Sequence, residues 1–222
     1  MIKISTLALS APVQYKLPIA IFLVWLVPMV GMLGIYAGLE SWFLTKTPFN
    51  FLLNLGLLVW CFPPRRAAAV FIWSAVFLLG MAVEIVGVRT GQPFGDYHYG
   101  NNLGIKAFGV PLLIGVNWVI LTFITSVISH SLLKNRWLRI LLAALMMVFL
   151  DLFIEPTAPL FDFWHWEAGA APLQNFVAWF AVAFGLAALA YPHLGQEDRR
   201  LPLHLYASQW VFFSFFYVVY HL

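Results

Sequence analysis

The sequence predicts an all-α fold: a polytopic helical membrane protein with about seven transmembrane helices in a single integral membrane domain, residues 1–222. Of its 222 residues, 63% are apolar and only 9% are charged, whereas soluble domains carry roughly 25% charged residues. Apolar stretches of the length needed to cross a bilayer recur along the whole chain. Prolines, which stop and start helices, lie at or beside the proposed ends: Pro48, Pro63, Pro64, Pro156, Pro172, Pro192 and Pro202.

Seven apolar stretches define the predicted helices. The first begins after Lys16, and the second is near the lower limit for crossing a bilayer, so a re-entrant second segment would leave six spans. The sequence contains no internal repeat, low-complexity tract or linker that would divide it. In chain order, the predicted spans are 18–39, 48–63, 67–88, 108–131, 138–155, 172–192 and 203–221.

Lysine and arginine predict the orientation. Nine of the 12 fall on the side of the N-terminus, which predicts that this end lies in the cytoplasm. We expect the membrane to be the cell (inner) membrane of a bacterium or archaeon. The excess of Lys and Arg on the cytoplasmic side accounts for the net charge of +3. Because the sequence has no block of consecutive Lys and Arg residues, we do not expect it to bind nucleic acid. We expect no cleaved signal peptide, because Lys16 interrupts the short apolar stretch after Lys3. The single cysteine, Cys61, excludes an intramolecular disulfide.

Acidic residues show the opposite distribution. Seven of the nine fall at or near the outer face, although acids follow no strong topology rule. Glu84 and Asp151 each precede the end of an outward-running span by about four residues, roughly 5–6 Å below the surface. Asp151 and Glu155 share a helix face. Ionisable groups in a membrane are costly and indicate function by default, so we predict one shared site; a structural pairing of Glu84 with Arg89 is the alternative.

The loops after these two spans are rich in aromatic side chains. Residues 89–104 read RTGQPFGDYHYGNNLG, and residues 156–169 read PTAPLFDFWHWEAG. Glycines allow tight turns and close approach of the backbone to a ligand. An aromatic belt at the membrane interface would account for Trp164 and Trp166. It does not explain why both aromatic loops directly follow an intramembrane acid, so we predict that the loops cover the site.

These segments resemble a known family. EIVGVRTGQPFGDYHYG (84–100), GVPLLIGVNW (109–118), DLFIEPTAP (151–159) and WHW (164–166) are similar to the carotenoid biosynthesis protein family of integral membrane proteins. That family includes bisanhydrobacterioruberin hydratases and γ-carotene and lycopene 1,2-hydratases. The resemblance is strong over about residues 80–170 and elsewhere rests on hydrophobic pattern. It implies that water is added to the terminal C1–C2 double bond of an acyclic carotenoid end group.

The predicted carboxylates suit that chemistry. Hydration of a trisubstituted alkene needs an acid to protonate the less substituted carbon, a group to stabilise the tertiary cation, and a base to activate water. A carboxylic acid next to hydrocarbon can keep its proton near neutral pH and act as the acid. We therefore assign Glu84 and Asp151 as the catalytic acid and base, in an order that the sequence leaves open, and Glu155 as a third catalytic residue that orients or supplies water.

Aromatic and polar residues near the carboxylates complete the predicted site. Trp and Tyr faces stabilise cations by about 0.5–2 kcal/mol each. The two histidines either relay protons or only form hydrogen bonds at the interface. The predicted substrate-binding residues are Tyr97, His98, Tyr99, Asn117, Trp118, Trp164, His165 and Trp166.

The sequence predicts neither a cofactor nor a metal. It has no GxGxxG motif after a strand and no HxxxH cluster, although Glu84, Asp151, Glu155 and His98 could form a metal site. The expected partners are a carotenoid within the bilayer, lipid and other enzymes of carotenoid biosynthesis.

Two other functions stay open. A membrane lycopene-cyclase-like enzyme would start from the same carbocation, and residue chemistry alone does not separate cyclisation from hydration. A non-enzymatic carotenoid-binding or transport protein is the second. Against a transport pathway, the cytoplasmic half of the spans has few polar residues, Gln209 being one of them.

Overall fold

Eight α-helices account for most of the described chain. The computed structural model describes residues 11–64, 66–194 and 197–221, with side chains from residue 15 onward. A 3₁₀ turn, Tyr191–His193, follows the seventh helix. The helices are α1 (Ala11–Tyr36), α2 (Glu40–Leu44), α3 (Thr47–Cys61), α4 (Ala67–Thr90), α5 (Leu112–Leu132), α6 (Arg136–Ile154), α7 (Leu173–Ala190) and α8 (Arg200–His221).

The prediction of an all-α membrane protein is confirmed. Among the described residues, five segments are long and apolar enough to cross a membrane. Each of the other two predicted spans also contains a helix: α3, which has only 15 residues, and α8, which has 22. The short helix α2 was not predicted. The expected absence of a signal peptide concerns residues 1–10, which lie outside the described part, as does Arg65.

Helix α5 lies at the centre of the bundle. It packs against α3, α4, α6, α7 and α8. In its most apolar stretch of 18 residues, 78% of the residues are buried inside the protein, against 28% in α4. Two glycines let α4 and α5 approach closely. A Cβ atom at Gly80 would lie 2.6 Å from Trp118, and one at Gly115 would lie 2.7 Å from Phe77. The fourth span starts at Leu112 rather than at 108, because β2 (Lys106–Ala107) pairs with β3 (Val110–Pro111) before it.

A two-stranded ribbon joins the two aromatic loops. Strand β1 (Tyr97–Tyr99) pairs antiparallel with β4 (Trp164–Trp166), so that Tyr97 lies opposite Trp166 and Tyr99 opposite Trp164. Side chains alternate across a strand, and the tyrosines face inward while His98 and His165 face outward. Helix α4 ends at Gly91 in the left-handed conformation (φ 69°), which turns the chain back toward this ribbon.

Candidate active site

Glu84 is buried in α4 and accepts three side-chain hydrogen bonds. The hydroxyls of Tyr97 and Tyr99 donate to its Oε2 at 2.6 and 2.7 Å. The indole N–H of Trp118 donates to its Oε1 at 3.1 Å. Burial, together with the neighbouring Glu84 charge, raises the pKa of both tyrosines above that of an ordinary phenol, so both hydroxyls keep their protons. Residues from α4, β1 and α5 thus fix one carboxylate.

Glu155 follows the last residue of α6 and also has three donors. Its Oε2 accepts from the indoles of Trp164 at 3.1 Å and Trp166 at 2.7 Å. Its Oε1 accepts from the side-chain amide of Asn175 in α7 at 2.9 Å. Burial raises the pKa of Glu155 to about 6, against the opposing effect of these three donors. Glu155 therefore holds a proton closer to neutral pH than an exposed glutamate does.

Asp151 lies one turn before Glu155 on α6. The same amide of Asn175 donates to its Oδ2 at 3.3 Å. Its other oxygen, Oδ1, is buried and has no hydrogen-bond partner among the described residues. Asn175 therefore bridges the two carboxylates of α6.

A small polar cavity lies between the two carboxylate clusters. Its volume is about 20 Å³, which is enough for one water molecule. Both Glu84 and Glu155 line it, whereas Asp151 does not. The remaining lining residues are Phe94, Tyr97, Tyr99, Ile114, Asn117, Trp164, Trp166, Asn175 and Trp179.

A larger and mostly apolar cavity adjoins the polar one. It has a volume of about 150 Å³ and lies between α1, α3, α5 and α8. A cavity of that size accommodates a benzene-sized ligand. Ile114, Asn117 and Trp164 line both cavities. An apolar group in the larger cavity would therefore meet the polar cavity at these three side chains.

In the described part of the chain, the three carboxylates form no ion pair. Among the described residues, no Lys, Arg or His nitrogen lies within 4 Å of Glu84, Asp151 or Glu155. The alternative pairing of Glu84 with Arg89 is not present, because the Arg89 guanidinium lies over the Phe108 ring at 5.2 Å. Hydrogen bonds to neutral side chains, rather than ion pairs, hold this site together.

The structure separates the predicted substrate-binding residues into three groups. Five of them line the cavities: Tyr97, Tyr99, Asn117, Trp164 and Trp166.

Trp118 forms the second group. It lies behind Glu84, is fully buried, and stacks on Trp179 with ring centroids 4.1 Å apart.

The two histidines form the third group, on the outer face of the ribbon. Their rings stack with centroids 5.3 Å apart. His98 contacts Glu167 at 3.2 Å and His165 contacts Asp162 at 2.9 Å. The hydrogen bond from His165 is the main cause that lowers the pKa of Asp162. Neither histidine lines the two cavities.

Two residues of the site, Asn175 and Trp179, were not among the site residues predicted from the sequence. Asn175 bridges Asp151 and Glu155, and its position as a polar residue in the outer half of an apolar span was the available signal. Trp179 stacks on Trp118 and lines the polar cavity. Nothing in the sequence distinguishes it from other tryptophans of the chain. Among the described residues, no group of three or more His, Cys, Asp or Glu side chains is arranged to hold a metal ion.

Comparison with known proteins identifies the family. The sequence model described as "Carotenoid biosynthesis protein" matches residues 49–222. The chain belongs to the carotenoid biosynthesis protein family. It is similar to the bisanhydrobacterioruberin hydratase of Haloarcula japonica, with 31% identity over 170 residues, 68% of this chain. The chain spans 57% of the length of that relative. No solved structure matches it significantly.

Membership in the family confirms the resemblance drawn from the sequence motifs. All four motifs lie within the matched residues. Together with the long apolar helices, the match indicates an integral membrane protein of carotenoid biosynthesis.

Proposed function

We propose that this protein adds water to the terminal C1–C2 double bond of an acyclic carotenoid end group. The observation that carries the proposal is the junction between the two cavities. Two carboxylates face a water-sized cavity, and that cavity shares three wall residues with an apolar cavity of about 150 Å³. The hydratase name of the relative from Haloarcula japonica supports the reaction type.

The apolar cavity would hold the reacting chain end. An isoprenoid end group offers no polar atom, so its affinity must come from burial of apolar surface. The lining supplies that surface, with Phe43, Phe51, Phe163 and Phe212 among its residues. The terminal double bond would then lie against Trp164, at the wall between the cavities.

Glu155 is proposed as the acid. Its pKa of about 6 lets it carry a proton at a pH where an ordinary glutamate is ionised, which suits general acid catalysis. It would donate that proton to C2 of the alkene and leave a tertiary cation at C1. The ring of Trp164, which also donates to Glu155, would stabilise that cation. Asp151, which the Asn175 amide holds beside Glu155, would return a proton to Glu155.

Glu84 is proposed as the base. Water in the small cavity would attack C1 and form the carbon–oxygen bond. Glu84 would take the proton released by that water, directly or through Tyr97 or Tyr99, whose hydroxyls lie 2.6 and 2.7 Å from it. The proton taken by Glu84 then returns to the Glu155–Asp151 pair through water in the small cavity, which Glu84 and Glu155 both line. The sum of the steps is one water added, with the carboxylates back in their starting states. The pairing of Glu84 with Asp151 as acid and base, drawn from the sequence, stays a prediction.

The location follows from the same proposal. A carotenoid lies within the bilayer, and a site one turn below the surface could take a chain end from lipid and water from outside. The distribution of Lys and Arg supports a cytoplasmic N-terminus in a cell membrane, with the carboxylates near the outer face. We propose that the whole chain forms one membrane domain around this site.

The direct test is expression in a bacterial host that makes only lycopene. Pigments are separated by chromatography and weighed by mass spectrometry. The expected product is heavier by one or two waters and keeps the lycopene chromophore. A product of unchanged mass with a shortened chromophore would establish cyclisation instead. If lycopene is untouched, the same experiment in a γ-carotene host decides the matter, and no product in either host would contradict the proposal.

A further inference from the structure

A buried asparagine, Asn54, lines the apolar cavity. Asn54 in α3 is only 5% exposed and lines the larger cavity. Its Oδ1 atom is buried and has no hydrogen-bond partner among the described residues. Buried polar groups are nearly always hydrogen-bonded, so an unsatisfied amide in a cavity indicates a polar group of a bound molecule.

The position of Asn54 restricts what that molecule is. Lys46, at the start of α3, is exposed and lines the same cavity, which therefore reaches the surface there. Asn54 lies eight residues further along, about 12 Å deeper at 1.5 Å per residue. Asn50, one turn nearer the surface, also has an unpartnered Oδ1 atom. The rest of the lining is mostly apolar, with Ile35, Leu103 and Phe212 among its residues, and also includes the polar residues Asn117, Ser208 and Gln209.

An apolar cavity with a deep, neutral amide suits a ligand that is a hydrocarbon with one hydroxyl group. A charged ligand would have no counter-ion at that depth. A pure hydrocarbon would leave Asn54 unsatisfied, which costs free energy. A hydroxyl can both donate to Oδ1 and accept from the Nδ2 group of one amide.

We propose that the larger cavity is a subsite for an aliphatic tertiary alcohol and that Asn54 binds its hydroxyl group. This rests on the proposed function, because hydration at C1 produces such an alcohol beside the wall formed by Asn117 and Trp164. Asn54 is thus assigned to product binding rather than to the chemical step. The subsite holds the chain end after reaction, when the end group has gained a hydroxyl that the surrounding hydrocarbon cannot satisfy.

The test measures binding, so it does not depend on turnover. Protein in lipid nanodiscs is photolabelled with an aliphatic diazirine alcohol, and labelling of residues 46–54 is quantified by mass spectrometry. The competitors are 2,6-dimethyloctan-2-ol and its deoxy counterpart 2,6-dimethyloctane, compared at equal concentrations in the membrane. A single added hydrogen bond predicts that the alcohol competes about three- to tenfold better with the wild-type protein.

Two variants isolate the amide. Asn54→Leu keeps the volume and suits a helix, so we expect it to bind the alkane and to bring the competition ratio to about one. Phe51→Leu alters the shape of the same cavity without changing its polar groups, and the ratio should keep its wild-type value. Equal competition by alcohol and alkane in the wild type would overturn the subsite, as would an unchanged ratio in Asn54→Leu.

Failure of this inference is distinguishable from failure of the proposed function. Wild-type protein that hydrates a carotenoid but shows no preference for the alcohol contradicts only the subsite. A preference that Asn54→Leu abolishes, in a protein that hydrates neither carotenoid, upholds the hydroxyl site and contradicts the reaction.

Discussion

The two carboxylate clusters are built alike and differ in one respect. Glu84 and Glu155 each accept three hydrogen bonds, and each takes two of them from one strand of the β1–β4 ribbon. Among the described residues, Glu84 shares no hydrogen-bond donor with another carboxylate. Glu155 shares the amide of Asn175 with Asp151, which has an unpartnered oxygen. Two carboxylates joined in this way, without a cation, can store and return a proton, whereas a lone carboxylate with three donors is suited to accept one.

This difference supports the proposal that the Glu155 cluster supplies the acid and Glu84 the base, and variants of either carboxylate test it. We expect the largest effect from Glu84→Gln and Glu155→Gln, each lowering the hydration rate by about 10²–10⁴, the usual contribution of a general acid or base. The amide keeps the size of the side chain but cannot carry the proton. The measurement is product formed per amount of membrane protein. Full activity in either variant would contradict its role.

The pH profile separates the two roles. An acid must be protonated to act, and the pKa of Glu155 is raised to about 6. Activity of the wild-type protein in nanodiscs should therefore fall tenfold per pH unit as the pH rises above about 6. The residual activity of Glu155→Gln should lose this limb, whereas that of Glu84→Gln should keep it. A rate that rises through pH 6 would mean that the ionised form of Glu155 acts, and the two roles would be exchanged.

Asp151→Asn should lower the hydration rate less than the variants of Glu84 and Glu155 do. Asp151 does not line the polar cavity, but it accepts a hydrogen bond from Asn175, which does. We expect a loss of about tenfold in rate, because the asparagine keeps the contact with Asn175 but cannot return a proton. Binding of the substrate should be unchanged. A loss as large as that of Glu84→Gln would instead make Asp151 a reacting group, as the sequence predicts. Asn175→Leu is the companion variant, since it removes the bridge and keeps both acids.

The fold and part of this site could be predicted from sequence, for identifiable reasons. Hydrophobic length predicted the helices, and counting back along each span placed Glu84 and Asp151 toward the C-terminal end of a helix, where they lie. Their depth below the membrane surface stays a prediction. Pairing between distant loops is not encoded locally. Strand register places Tyr97 opposite Trp166. The same register decides that the tyrosines of β1 face inward and His98 faces outward. For the same reason, Asn175 could be noticed as polar but not placed between two acids.

The phenols of β1 allow a moderate test. Tyr97→Phe and Tyr99→Phe each remove one donor to Glu84 Oε2 and leave the other in place. A hydrogen bond to a charged group contributes about 1.5–3 kcal/mol, so the double variant should lose more than either single variant. We expect the singles to lower the rate about tenfold, measured with pigment product as above. Rates equal to wild type in both singles would show that the phenols do not support the base.

The smallest effect is expected on the opposite face of the same ribbon. His98 and His165 stack on each other and contact Glu167 and Asp162, away from both cavities. His98→Asn and His165→Asn should change the hydration rate by less than twofold at saturating substrate. They serve as matched controls for the tyrosine variants, because His98 lies in β1 between the two tyrosines and His165 lies opposite it in β4. A tenfold loss in either, with protein levels maintained, would mean that protons reach the site through the outer face. The histidine relay predicted from the sequence would then replace the internal route through Asp151.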